Sequence, residues 1–301
     1  MGDQRDLTVL ITGANSGLGL SSARAFAQSG ARVLLGCRSP ERGGAALKQV
    51  QAVATGEAPQ LIEVDLADLQ SVQRTSEQVG ESIDRLDVLM NNAGVMAPPE
   101  RRETVDGFEL QFATNYLGHF ALTARLLPLL RRAGAARMVT VSSLAATVKS
   151  INLADLQSQQ AYVPFQTYGM TKLAMLMFAL EFQRRSESAG WGIAGLAAHP
   201  GFARTDIISN GPASSGLRGA LWRRTKSFLL PMSPPVGPAA LPILLAATSP
   251  HAQGGGYYGP SWILEIMGPP GPARLPRRAL DGAAASQLWE TSERLAGVSF
   301  A

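Results

Sequence analysis

Tyr168 and Lys172 stand four residues apart in the run Tyr168-Gly169-Met170-Thr171-Lys172, and on a helix residues i and i+4 share a face. An unperturbed phenol titrates near ~10 and is a poor proton donor or acceptor at neutral pH. A neighbouring ammonium stabilises the phenolate and draws that value toward the working range. The pair therefore suits proton exchange at a carbonyl or carbinol oxygen. The spacing alone is common, so its weight depends on its surroundings. Val141-Ser142-Ser143 offers hydroxyls that could orient such an oxygen. Asn115, in Phe112-Ala113-Thr114-Asn115-Tyr116-Leu117-Gly118-His119-Phe120, interrupts a helical pattern. A helix-interior Asn satisfied by backbone is the plain alternative there. His119 offers a competing base, but a lone histidine among aromatic residues reads as structural.

The elements that must position these groups are legible as alternation. Short apolar, β-branched runs at Leu7–Ile11, Arg32–Leu35, Leu61–Val64, Val88–Met90, Arg137–Val141 and Ile193–Ala198 read as strands. Helical patterns such as Leu18–Gln28, Ser71–Val79, Val105–Arg132 and Phe165–Glu187 lie between them. Continuous apolar strands alternating with helices imply a parallel sheet covered on both faces. The expected class is α/β, one Rossmann-like doubly wound parallel sheet, in a single domain over residues 1–301. Ser142 and Ser143 then end the fifth strand, at the carboxyl edge where open α/β sheets bind ligands.

Thr12-Gly13-Ala14-Asn15-Ser16-Gly17-Leu18-Gly19 follows the first strand and opens the first helix. Glycines let backbone N–H groups approach phosphate, and the helix N-terminus adds partial positive charge. The end of the second strand, Gly36-Cys37-Arg38-Ser39, carries no acid to bind ribose hydroxyls. Arg38 can instead pair with a 2′-phosphate, which selects NADP(H) over NAD(H). A solvated surface arginine is the bland alternative.

The Thr-Gly-x-x-x-Gly-x-Gly spacing resembles that of the short-chain dehydrogenase/reductase family. Asn91-Asn92-Ala93-Gly94 after the fourth strand, Val64-Asp65-Leu66 ending the third, and Pro200-Gly201 with Thr205 after the sixth recur in that family's order. The resemblance implies a cofactor site at Gly13, Asn15, Ser16, Gly17, Leu18, Gly19, Arg38, Asp65, Leu66, Asn92, Ala93, Gly94, Pro200, Gly201 and Thr205, with Tyr168 and Lys172 touching the nicotinamide end. Within it, Asp65 would contact adenine and Thr205 the carboxamide. It also implies Ser143, rather than Ser142, as the catalytic hydroxyl. Asn115 would hold a water in a proton relay to Lys172, and Lys172 would hold the nicotinamide ribose. No metal is assigned.

Ser143 and Tyr168 are 25 residues apart, about twice the usual gap of the family. That long segment, the Asn115–Phe120 run, and the tail from Gly255-Gly256-Tyr257-Tyr258 to Leu288–Leu295 resemble the branch containing retinol dehydrogenases, WW-domain oxidoreductase and protochlorophyllide reductase. The branch implies an apolar aldehyde, ketone or alcohol as substrate. Met96, Phe165 and Met170 could line an adaptable pocket, although ordinary core packing explains them equally. Residues 209–237, with Arg218, Arg223, Arg224, Lys226 and Trp222, read as a substrate lid or a membrane-surface segment, and 254–301 as a C-terminal extension. The helices Val105–Arg132 and Phe165–Glu187 are those that pair in the family's dimers, so a homodimer or homotetramer is expected.

Bulk properties narrow the field. The 301 residues carry a net charge of +4 and no basic run suited to nucleic acid. The single cysteine, Cys37, excludes an internal disulfide and fits a reducing compartment, so a cytoplasmic location is expected. The longest apolar stretches, such as Ala239–Ala247, are too short to span a bilayer. Two competing functions remain. One is a C=C reductase, disfavoured because the only cysteine sits at the cofactor end. The other is a non-catalytic NADP-binding sensor, disfavoured by the intact Tyr168 and Lys172.

Overall fold

In the computed structural model of the chain, residues 2–201, 236–262 and 264–300 are described. The first six strands form where the apolar runs place them: β1 (Thr8–Thr12), β2 (Arg32–Cys37), β3 (Gln60–Glu63), β4 (Val88–Asn91), β5 (Arg137–Val141) and β6 (Ala194–Ala198). Val9, Leu10 and Ile11 of β1 are all essentially inaccessible, because both sheet faces are covered. Two further strands, β7 (Tyr257–Trp262) and β8 (Met267–Pro272), extend the sheet to the order β3-β2-β1-β4-β5-β6-β7-β8. Neighbours are parallel from β3 through β7, and β8 returns antiparallel.

These last two strands lie within the C-terminal extension, beyond the six strands expected from the apolar runs. Prolines normally argue against strands, but a sheet edge tolerates them because the missing N–H faces no partner. Only Tyr257 and Tyr258 of β7 pair with β6. Pro260 pairs only with Pro270 of the terminal strand β8.

Helices cover both faces. One face packs α1 (Gly17–Gln28), α2 (Pro40–Gln51) and α7 (Val236–Thr248), with Phe26, Ala46 and Ile243 in its core. The other packs α3 (Leu69–Ser82), α5 (Gly118–Arg132), α6 (Pro164–Ala189) and α8 (Gly282–Ala296), with Val72, Leu122, Leu173 and Leu288 inside. Of the segment read as a lid, only Val236 and Gly237 are described, and they open α7; residues 209–235 lie outside the described residues.

The helix expected from Val105 begins later. Val105 is 83% exposed, and Gly107 turns the chain at φ +79°. Asp106 instead accepts a hydrogen bond from Leu69 N at the start of α3. Glu109 then caps the single turn α4 (Leu110–Phe112) by accepting from Phe112 N at 2.7 Å. A π-helical segment, Ala113–Leu117, joins α4 to α5. At the chain's end, Trp289 lies 5.0 Å from Phe120 and 5.7 Å from Phe178, and Phe300 joins the same cluster. The helices expected to pair in a dimer thus carry α8 against them. Among the described residues no helix is long and apolar enough to cross a membrane.

Candidate active site

The strand order reverses between β1 and β4, so their carboxyl ends splay and leave a crevice, the usual ligand position in such sheets. The glycine loop borders it. Gly13 takes φ +66°, and a Cβ there would lie 2.9 Å from Ala93 Cα. A Cβ on Gly19 would collide with the Gly13 carbonyl oxygen. Asn15 and Ser16 lead into the helix, and Ser16 contributes no side-chain cap. The first helical bond runs from Leu20 N to Ser16 O at 3.1 Å. The amides of Gly17, Leu18 and Gly19 precede it and have no acceptor among the described residues. Such a helix start accommodates a pyrophosphate. Arg38 is exposed and forms no ion pair among the described residues, so its guanidinium is available to a 2′-phosphate. These features fit a dinucleotide.

The other sequence-selected residues fall around the same crevice with distinct local tasks. Asp65 Oδ1 accepts from Ala67 N at 3.0 Å, and buried Leu66 packs its carbonyl against Gly118. Asn92 donates through Nδ2 to Thr12 O at 2.8 Å, while the amides of Asn92 and Ala93 donate to Thr12 Oγ1. A Cβ on Gly94 would lie 3.1 Å from Asn115 Oδ1 and 3.5 Å from Lys172 Nζ, so this loop abuts the catalytic candidates. Gly201 takes φ +68° and donates to His199 Nδ1 at 3.2 Å beside Pro200. Thr205 lies outside the described residues.

Asn115 sits in the middle of the π segment, a distortion that often accompanies functional positions. Its Oδ1 accepts from Val95 N at 2.7 Å. Its Nδ2 donates to Val95 O at 3.0 Å and Thr171 Oγ1 at 2.9 Å. The two serines separate clearly. Ser142 is buried and donates to Lys172 O at 2.8 Å, tying β5 to α6. Ser143 is half-buried, caps the following turn through Ala145 N, and faces the Tyr168 phenol.

Tyr168 and Lys172 share one face of α6, and both are buried. Burial pushes the Tyr168 phenol up to about 12, against the opposing hydroxyl of Ser143. Burial pushes the Lys172 ammonium down to about 8. Lys172 Nζ donates to Val141 O at 2.9 Å and lies 5.7 Å from the centre of the Tyr168 ring. The lysine thus faces the ring and a backbone carbonyl. The lowering of the phenol expected from the lysine is not seen: burial raises it, and the Ser143 hydroxyl is what opposes that rise.

The long segment before Tyr168 is laced to the chain after β4. Tyr162 donates to Pro98 O at 2.7 Å and accepts from Gln111 Nε2 at 3.1 Å. Gln157 accepts from Glu109 N at 2.7 Å. Phe165 is 49% exposed with its ring 6.2 Å from Tyr168. Met96 is half-buried, whereas Met170 is 1% exposed and belongs to the interior rather than to a pocket wall. Cys37 is buried, and burial pushes its thiol up to about 11. Among the described residues no cluster suits a metal ion.

Two histidines in this region join distant segments: His119, read from sequence as structural, and His199, which the sequence did not single out. His199 donates to Glu265 Oε2 at 3.1 Å, linking the Pro200-Gly201 turn to the β7–β8 connection. His119 bridges Thr12 and Asn115. Their partners are distant in sequence, so only the fold brings them together.

A doubly wound sheet with a dinucleotide-suited crevice and a Tyr–Lys face beside it defines a nicotinamide-type oxidoreductase architecture. The family described as short chain dehydrogenase matches residues 7–214, and the chain belongs to that family, in the retinol dehydrogenase branch. Retinol dehydrogenase 14 of Mus musculus is 38% identical, over 97% of this chain and 86% of that protein. Polyprenol dehydrogenase of Mus musculus is 35% identical, over 96% and 83% respectively. A solved structure of a putative uncharacterized protein from Mycobacterium Paratuberculosis is 37% identical with a TM-score of 0.81, covering 100% of this chain and 97% of that one. Family members use nicotinamide cofactors and act on small molecules.

Proposed function

We propose that the chain is a single-domain NADP(H)-dependent oxidoreductase acting on the carbonyl or alcohol of an apolar small molecule. The observation that carries this reading is the meeting of Tyr168, Ser143, Lys172 and Asn115 at the carboxyl edge, directly against Gly94 of the cofactor crevice. The nicotinamide, when bound, exchanges a hydride with the substrate carbon. Tyr168, held protonated near pH 7 by its burial, gives its proton to the substrate oxygen in the reductive direction. Ser143 donates a hydrogen bond to that oxygen and polarises it. Lys172, pushed down to about 8, is poised to pass a proton back toward the phenol near working pH. Asn115 fixes the Val95 backbone and Thr171 around them.

Arg38 supports the phosphorylated cofactor, because it is exposed, forms no ion pair among the described residues, and stands where an acid would repel a 2′-phosphate. The exposed side chains of Phe165, beside Tyr168, and Val148, beside its neighbour Gly169, support an apolar substrate. The names of the retinol and polyprenol dehydrogenase relatives agree with that class. Buried, protonated Cys37 leaves the C=C reductase reading without an available thiol acid.

The test is kcat/KM with NADPH and with NADH over a panel of apolar aldehydes, ketones and enones. NADPH should be preferred, with aldehydes or ketones reduced. Preference for NADH would overturn the cofactor assignment, and turnover confined to enones would overturn the reaction class.

A further inference from the structure

His119 is the second residue of α5, and its side chain is wholly buried. Its Nδ1 lies 2.9 Å from the Asn115 carbonyl oxygen, and its Nε2 lies 2.8 Å from Thr12 Oγ1. A carbonyl oxygen can only accept, so Nδ1 carries a hydrogen. Burial, reinforced by the Lys172 charge and opposed by the Asn115 bond, pushes the imidazole down to about 3. The ring is therefore neutral, and Nε2 is an acceptor.

That assignment fixes the threonine as well. Thr12 Oγ1 accepts from Asn92 N at 2.9 Å and Ala93 N at 3.0 Å. Its one hydrogen could face Met90 O at 3.3 Å or His119 Nε2 at 2.8 Å. Facing Met90 would leave two acceptors opposed at the shorter distance, so the hydrogen points at His119. One directed chain results. The amides of Asn92 and Ala93 donate to Thr12, Thr12 donates to His119, and His119 donates to Asn115. The chain ends on the Asn115 backbone carbonyl, while the Asn115 side chain separately accepts from Val95 N and donates to Val95 O and to Thr171 on α6.

We propose that His119 is a positioning residue: as the neutral Nδ1–H tautomer, it fastens the end of β1, which leads into the glycine loop, to the π segment that carries Asn115. Imidazole suits this task because it presents a donor and an acceptor on opposite edges of a rigid ring. Neither end of the histidine reaches substrate. Its role deepens the proposed function, on which only the kinetic arm of the test rests.

The first arm needs no cofactor. Long-range 1H–15N correlation of the cofactor-free protein should show His119, one of three histidines, as the Nδ1–H tautomer, with shifts constant from about pH 5 to 8. An Nε2–H tautomer, or titration within that window, overturns the proposal. The second arm splits the two ends. His119→Asn places its amide nitrogen near Nδ1 and cannot reach Thr12, so KM for NADPH should rise about tenfold while kcat stays within about threefold. His119→Gln reaches Thr12 but loses the donor to Asn115, so kcat should fall about tenfold while that KM stays within about threefold. Wild-type kinetics in both variants, or equal losses in both constants that merely follow a lower Tm, overturn the proposal. If wild-type protein turns over no NADPH, the functional reading fails, and the tautomer measurement still decides the role of His119. That measurement also stands if a variant does not fold.

Discussion

Lys172→Met should abolish activity and yet stabilise the protein at neutral pH. The ammonium is wholly buried, and its pKa falls from 10.5 in an unfolded chain to about 8 in the fold. Between those values the unfolded state holds the proton and the native state does not, so stability rises with pH across that window. Below about pH 8 the native state carries the full cost of charging. The gap corresponds to about 3 kcal/mol. Methionine keeps the apolar stem and removes the charge. It also removes the hydrogen bond from Nζ to Val141 O, leaving a buried acceptor at a cost of about 1–2 kcal/mol. The net gain at pH 7 is then about 1–2 kcal/mol. As pH rises toward 10.5 the gain shrinks, and above it the lysine is neutral in both states, so the lost bond makes the variant the less stable protein. Urea unfolding of both proteins from pH 7 to about 10 measures this difference directly. A stability difference that does not change with pH would refute the claim that burial depresses Lys172.

Arg38→Asp should lower kcat/KM for NADPH by about 10- to 100-fold and leave that for NADH nearly unchanged, as steady-state kinetics with both cofactors will read. Ser143→Ala should reduce kcat by about 100-fold with little change in Tm. Ser142→Ala, which loses the bond to the Lys172 carbonyl, should cost about 1 kcal/mol in denaturant unfolding; a kcat loss as large as that of Ser143→Ala would reverse their roles. Gly19→Ala drives a Cβ into the Gly13 carbonyl, so fluorescence titration should find NADPH binding weakened at least about tenfold.

The first six strands were legible because buried parallel strands are nearly continuous apolar runs, and Arg137–Val141 matches to the residue. The turns proposed to carry the site followed from them, since glycines and polar residues stand where these strands end. β7 and β8 were hidden by their prolines, which an edge hairpin tolerates but a local pattern cannot distinguish from a loop. The Asn115 interruption was visible in the helical pattern. The π geometry behind it, and the bond from His119 to Thr12 across 107 positions, depend on tertiary packing and leave no local mark. The same holds for the balance at Tyr168. The sequence places an ammonium four residues away, but only the fold reveals that burial pushes the phenol up to about 12 and that the lysine bonds to Val141 instead.

The central claim is that Tyr168 is the proton donor of a nicotinamide-dependent reaction. The most direct test is Tyr168→Phe, with single-turnover NADPH oxidation and NADPH binding measured on the same preparation. Turnover should fall by at least about 1,000-fold while the NADPH Kd stays within a few-fold of the parent value. Substantial retained turnover would contradict the account.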